Sequence, residues 1–296
     1  MTGIETLELQ AKLADGGDVD LARSHTAGTI TADKFLLTGE NNDGTAAGDA
    51  GEDVSFAITG LTTEAVDVSF LASATGTNDE TVTLTMKDDT GAADSLTVTS
   101  VEVADQVNSF ALTIDRLASA ANNKVETLNF VASTSDVSTT DGTTLQALTA
   151  AYTETINISG AKDLTITTVQ IADPAGDATA TFDASALTGN LTLSSGFKTS
   201  ATDTITIKLG SGTNTLDYAA EGLSADVVTG STGTDTVKIL EGATDNEMTI
   251  TSVDNVEMKG AGAGKDISIK NYTDVTTIKI RDAAGASDGS TDNIKV

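Results

Sequence analysis

The sequence predicts an all-β chain that winds into a β-solenoid over its C-terminal half. Three features carry this expectation. Short runs of Thr, Val, Ile and Leu alternate with a two-residue period, these runs recur about every twenty residues beyond residue 200, and helix signals are nearly absent. Branched side chains favour extended backbone because they pack well on a pleated surface. One proline and 39% hydrophobic residues argue for a folded chain, since acidic disordered segments are Pro-rich and poor in branched residues. Aromatics make up only 3%, so the core is thin, as a narrow solenoid or sandwich would have it.

Taken in chain order, the first element is a six-residue pattern of apolar, acidic or Thr, polar, then apolar-x-apolar. It occurs at Ile4–Leu9, Val125–Phe130, Thr153–Ile158, Val253–Met258 and Val275–Ile280. Its last apolar pair shares one face of a strand. The first copy begins almost at residue 1, which suggests a chain cut from something longer. Between 53 and 131 the runs lengthen: Val54–Ile58, Val66–Leu71, Thr81–Met86 and Ser95–Thr99 alternate cleanly and are joined by Gly, Asp and Asn clusters. Clean alternation is usual for antiparallel strands with one wet face, so a sandwich-like or irregular β module is expected there. Thr143–Ala150, following Asp141-Gly142, is the one stretch that reads as a short helical turn. The change of period near residue 150 divides the chain into β-rich modules over 1–150 and a solenoid over 151–296.

In that second part, strands begin near Asn214, Asp235, Asn255 and Val275, and a second series begins near Asp203, Ala225, Glu247 and Asp266. Two interleaved series with one shared period imply two strands per coil of 20–22 residues, each coil covering the apolar face of the next.

Charge narrows the function. With 16 basic and 44 acidic residues the net charge is −28, a field that repels nucleic acid and anionic lipid and attracts cations. No nucleic-acid partner is expected. No run approaches the ~20 apolar residues of a membrane span, so no membrane insertion is expected either. Cysteine is absent, which leaves metal ions as the staple of an extracellular chain. Calcium suits the acidic, glycine-rich turns because it takes about 6–8 hard oxygen ligands. The candidates fall in four places. Asp15, Asp18 and Asp20 cluster along one segment, Asn42 and Asp43 precede a glycine, Gly212, Asn214 and Asp217 follow Gly210-Ser211, and Gly233 and Asp235 follow Gly230-Ser231-Thr232. The last two groups read as Gly-x-Gly-x-Asp-type turns whose glycines would expose carbonyls through positive φ, with Asn standing at 214 and Ser at 231. A solvated turn is the bland reading of each cluster taken singly.

Those two segments resemble the calcium-binding nonapeptide of RTX proteins. Thr181–Leu193 and Glu154–Thr167, with the Val-Glu-Thr-Leu-Asn-Phe block at 125–130 before them and the Gly/Asp repeats after, resemble in order the segments of RTX-type bacterial S-layer proteins. The resemblance implies a calcium-stabilised β-solenoid and type I secretion from a C-terminal signal. It also implies assembly of copies into a two-dimensional lattice on the bacterial cell surface, with surface polysaccharide engaged through a region outside this chain.

Catalysis is not expected. Polysaccharide-active β-helix enzymes need a base and positive groups beside a sugar carboxylate. Here the one histidine is His25, the arginines are the scattered Arg23, Arg116 and Arg281, and no Trp offers a sugar platform. The remaining rival to a lattice protein is an RTX-type adhesin or biofilm-matrix protein.

Overall fold

In the computed structural model the described residues are 4–12, 21–26, 32–40, 54–61, 65–71, 80–86, 93–101, 108–116, 124–132, 142–171, 179–194, 204–218, 225–240, 248–259, 266–281 and 293–295. Among them there is no helix. One sheet stacks eleven strands in the order β1 (Ile4–Lys12), β3 (Ala32–Glu40), β5 (Ala65–Leu71), β7 (Ser95–Ser100), β9 (Thr127–Ala132), β11 (Thr155–Gly160), β14 (Thr179–Leu187), β16 (Thr204–Lys208), β18 (Val227–Thr229), β20 (Thr249–Thr251) and β23 (Tyr272–Thr273). The second stacks β2 (Leu21–Thr26), β4 (Val54–Leu61), β6 (Thr81–Met86), β8 (Asn108–Asp115), β10 (Gly142–Ala150), β12 (Asp163–Ile166), β15 (Leu191–Leu193), β17 (Asn214–Asp217), β19 (Asp235–Leu240), β21 (Asn255–Lys259) and β24 (Thr277–Arg281), with β13 (Val169–Ile171) also beside β10. A separate pair joins β22 (Asp266–Ser268) to β25 (Asn293–Lys295).

Every pairing is parallel. The chain therefore alternates between two facing parallel sheets, two strands to a coil. From β5 onward the coils shorten toward the C-terminus. In the first sheet the register offset is 32 residues between Ala65 and Thr97, 28 between Thr127 and Thr155, 25 between Thr179 and Thr204, and 22 between Val227 and Thr249.

Two expectations are corrected here. The strands within 53–131 were expected to pair antiparallel; instead β4 to β9 pair in parallel and continue both sheets without a break. Alternating burial reports one wet face and one dry face. Parallel sheets usually have two dry faces, which is why alternation is associated with antiparallel pairing. In a solenoid each parallel sheet faces its partner on one side and water on the other, so its strands alternate too. The second correction concerns Thr143–Ala150, which is strand β10 and not a helical turn. Its register shifts between Leu145 and Ala147 against β8, a bulge that places the buried Leu145 and Leu148 three residues apart. That spacing imitates a helical period.

The core is a set of in-register columns. In the first sheet Leu96, Leu128, Ile156, Phe182, Ile207, Val228 and Ile250 stack strand on strand, all of them buried. In the second, Phe110, Leu145, Ile166, Leu193, Leu216, Val237 and Val256 do the same. Each such side chain contributes roughly 1.5–3 kcal/mol through burial. Many of the outward positions between them are polar. Ser109, Thr144, Thr165, Thr192, Thr215 and Thr236 form one uninterrupted hydroxyl column on the second sheet.

Candidate functional site

The glycine-rich turns come together as one edge of the solenoid, where the chain passes from the first sheet to the second. The turns 161–162, 188–190, 209–213, 230–234 and 252–254 lie there, between β11 and β12, β14 and β15, β16 and β17, β18 and β19, and β20 and β21. Their glycines answer a need for close approach. A Cβ at Gly189 would lie 2.2 Å from the Lys162 carbonyl oxygen, one at Gly212 2.3 Å from that of Gly189, and one at Gly233 1.8 Å from that of Gly212. Each coil's glycine thus rests on the backbone of the coil before it. The expected positive φ is not the reason: among the described glycines only Gly60 and Gly160 have it.

Asn214 and Asp235 point inward at this edge and are fully buried. The column they occupy continues Leu164 and Leu191 of the preceding coils, so a polar pair replaces an apolar one. Burying such groups is tolerable only when they are hydrogen-bonded. The Asn214 Nδ2 group donates to Gly210 O at 2.6 Å, Gly212 O at 2.9 Å and Asp235 Oδ1 at 2.7 Å. Ser231 N donates to Asp235 Oδ2 at 2.6 Å, the Ser231 hydroxyl donates to Gly210 O, and Asp235 N donates to Asp254 Oδ2 at 2.9 Å. A second chain of caps runs alongside. Asn190 donates through N and Nδ2 to the two carboxylate oxygens of Asp163, and Thr213 N donates to Asn190 Oδ1. Asx side chains thus satisfy turn donors and acceptors from coil to coil, the local role these residues take wherever backbone leaves regular structure.

Burial pushes the Asp235 carboxyl above the ordinary carboxylate value, the charge of Asp254 adds to the rise, and the bonds from Asn214 and Ser231 N oppose it. Asn214 Oδ1 is buried without a hydrogen-bond partner. Of the residues expected to bind calcium, Gly212, Asn214, Gly233 and Asp235 come together here. Asp217 does not: it sits on the outward face of β17, three residues along. Asp15, Asp18, Asp20, Asn42 and Asp43 lie outside the described residues.

As the corner is hydrogen-bonded here, its oxygens are engaged within the chain. Its converging oxygens, Gly210 O, Gly212 O and Asp235 Oδ1, already surround an amide nitrogen that donates to all three, and a cation there would meet N–H groups. Among the described residues no group of three or more His, Asp or Glu side chains is arranged to hold a metal.

A second buried polar cluster was not expected from the sequence. Asp226, fully buried, accepts from Ile205 N at 3.0 Å and from the Tyr218 hydroxyl at 2.8 Å. Burial, and then the charge and hydrogen bond of Asp226, raise the Tyr218 phenol well above its usual range, so it stays a donor at any ordinary pH. Asn108 does similar work between coils, donating to Val68 O at 3.0 Å and to Ser100 Oγ at 2.7 Å, while Ser100 Oγ pairs with Thr143 Oγ1 at 2.8 Å. The signal that finds Asp226 is alternation: it stands two residues before the inward Val228, as Asn214 stands before Leu216 and Asp235 before Val237.

On the outer faces charges pair across neighbouring strands. Lys34 with Asp67 and Lys208 with Asp183 each close to 2.6 Å, and Lys279 with Glu257 to 3.2 Å. Burial raises the Asp183 carboxyl, but hydrogen bonds from Lys208 and Ser185 and the Lys208 charge outweigh it, leaving Asp183 below the ordinary carboxylate value. Arg116 stacks on the Tyr152 ring at 3.9 Å, a structural use of one of the three arginines. Arg23 and His25 lie on β2. No protein family matches this chain, and neither a curated protein nor a solved structure matches it.

Proposed function

We propose that the chain is a structural, self-assembling surface-layer protein of a bacterial cell, exported, stabilised by calcium and without catalytic activity. The observation that supports this reading is the two-sheet parallel solenoid running through the described length. Stacked coils contact only their neighbours and present a similar polar outer face again and again. Such a surface suits a protein whose main partners are copies of itself. The order of segments at 125–130, 154–167 and 181–193, similar to RTX-type S-layer proteins, supports the same assignment, and each lies on strands of the solenoid.

Calcium enters this reading through the acidic segments 15–20 and 42–43 and not through the Gly210–Asp235 corner, whose oxygens are already engaged. A net charge of −28 opposes compaction, and bound divalent cations relieve it. Export by a type I route and contact with surface polysaccharide through a region outside this chain complete the proposal.

Electron microscopy of the purified protein with and without millimolar Ca²⁺ tests it. Ordered two-dimensional sheets that form with calcium and dissolve on chelation are the expected result. A protein that stays monomeric in millimolar Ca²⁺ overturns the lattice reading and favours an adhesin or matrix protein.

A further inference from the structure

One outward column of the second sheet differs from the hydroxyl column beside it. Asp217 pairs in register with Lys238, Lys238 with Glu257, and Glu257 with Lys279, on the consecutive strands β17, β19, β21 and β24. The signs therefore alternate −, +, −, + along the solenoid axis at the strand spacing of about 4.8 Å. All four side chains are at least partly exposed. The neighbouring column, two residues earlier on each strand, is the neutral set Thr215, Thr236, Asn255 and Thr277.

Within one chain this pattern pairs opposite charges across strands, as Lys279 and Glu257 do at 3.2 Å. Exposed pairs of this kind add little to stability. Read across two copies, the same pattern has a definite symmetry. A two-fold axis parallel to the strands, lying in the plane between two facing sheets, reverses the order of the column while keeping it opposite itself. Asp217 then faces Lys279 of the second copy and Lys238 faces its Glu257, so all four contacts are between opposite charges. A two-fold axis along the solenoid sets each residue against its own copy, which is repulsive at every position. The flanking column meets itself as Thr215 against Thr277 and Thr236 against Asn255, hydroxyl and amide groups able to donate and accept.

We propose that this outer face of β17, β19, β21 and β24 is an isologous interface through which two copies pair with their solenoid axes antiparallel, the charge column setting register and direction. The proposal deepens the self-assembly reading and rests on it.

Charge exchange in the full chain separates this role from an intrachain one. Lys238→Glu sets a carboxylate against Glu257 of the second copy twice over by symmetry, and Glu257→Lys sets ammonium against Lys238. The double exchange Lys238→Glu/Glu257→Lys restores opposite signs across the two-fold axis. Inside the chain, however, it leaves like charges side by side at 217 and 238 and at 257 and 279. Sedimentation equilibrium in millimolar Ca²⁺ at low salt is expected to show self-association weakened about tenfold or more by either single exchange. The double variant is expected to return to within about threefold of wild type although its thermal midpoint stays below wild type. Single variants that associate like wild type, or a double variant that fails to recover, overturn the interface. Lattices that form equally from wild type and both single variants overturn it while leaving the surface-layer reading standing. A wild-type chain that is monomeric at every concentration overturns both.

Discussion

Asp235 and Asp183 respond to pH with opposite signs because one is buried against a carboxylate and the other held by an ammonium. The Asp235 carboxyl is raised in the folded chain, so its contribution to stability is full below the ordinary value of 3.8 and is lost as pH rises through the folded value. The Asp183 carboxyl is lowered, so its contribution is present above 3.8 and is lost as pH falls through the folded value. Replacing Asp235 by Asn removes the buried charge. Both oxygens of the Asp235 carboxylate accept, however, one from Asn214 Nδ2 and the other from Ser231 N, so the NH2 group of Asn would be set against one of these donors. Asp235→Asn is therefore expected to be less stable than wild type by about 1 kcal/mol at pH 7.5, relief of the buried charge offsetting only part of the lost hydrogen bond, with the deficit growing toward pH 4 as the wild-type carboxyl takes up its proton. Urea unfolding at the two pH values measures it, and a variant more stable than wild type at pH 7.5 counts against this account of the corner.

At the scale of the turn and strand, the glycine column decides how closely coils can stack. The Cβ of Gly233→Ala would meet the Gly212 carbonyl oxygen at 1.8 Å, a backbone atom with no side-chain freedom to yield. The coils at β17 and β19 must then separate locally, lengthening the Asn214–Asp235 contact as well. The expected loss is about 3 kcal/mol. Ala at Ser231, two residues earlier in the same turn and part-exposed, removes a hydroxyl donor to Gly210 O and should cost nearer 1 kcal/mol. Comparing the two variants by denaturant unfolding distinguishes close packing from hydrogen bonding as the demand at this edge. Much of this was legible in advance. The strands at 54–58, 66–71, 81–86 and 95–99 lie within β4, β5, β6 and β7, and the series at Asn214, Asp235 and Asn255 opens β17, β19 and β21. The bulge in β10 was not legible, because a register shift is a property of two strands and leaves only an ambiguous spacing in one.

For the molecule as a whole, stability is distributed over nearest-neighbour coil contacts, and the net charge of −28 opposes all of them. A ligand that binds only the folded chain stabilises it by mass action, by about 2.7 kcal/mol at a hundredfold excess over its Kd. If the acidic turns bind calcium as proposed, millimolar Ca²⁺ raises the thermal midpoint by several degrees and chelation reverses the rise, whereas magnesium, which dehydrates reluctantly, does less. Differential scanning calorimetry with each ion checks this, and a midpoint unmoved by complete chelation removes calcium from the proposal. Variants at Asn214 and Asp235 should leave the calcium response intact, since that corner satisfies its own oxygens.

The sequence by itself determined that the chain is all-β, that its strands have one dry and one wet face, and that they recur in two interleaved series. Each of these is written in local alternation and spacing, which a single strand displays without its neighbours. Only the tertiary structure decided that the pairing is parallel from β1 to β24, that the middle of the chain belongs to the same solenoid as its end, and that Asn214 and Asp235 serve each other. Pairing sense is a relation between strands roughly 20 to 35 residues apart. The partner of a buried amide is likewise set by which residue of the next coil stacks upon it, and composition and motif do not contain that distance.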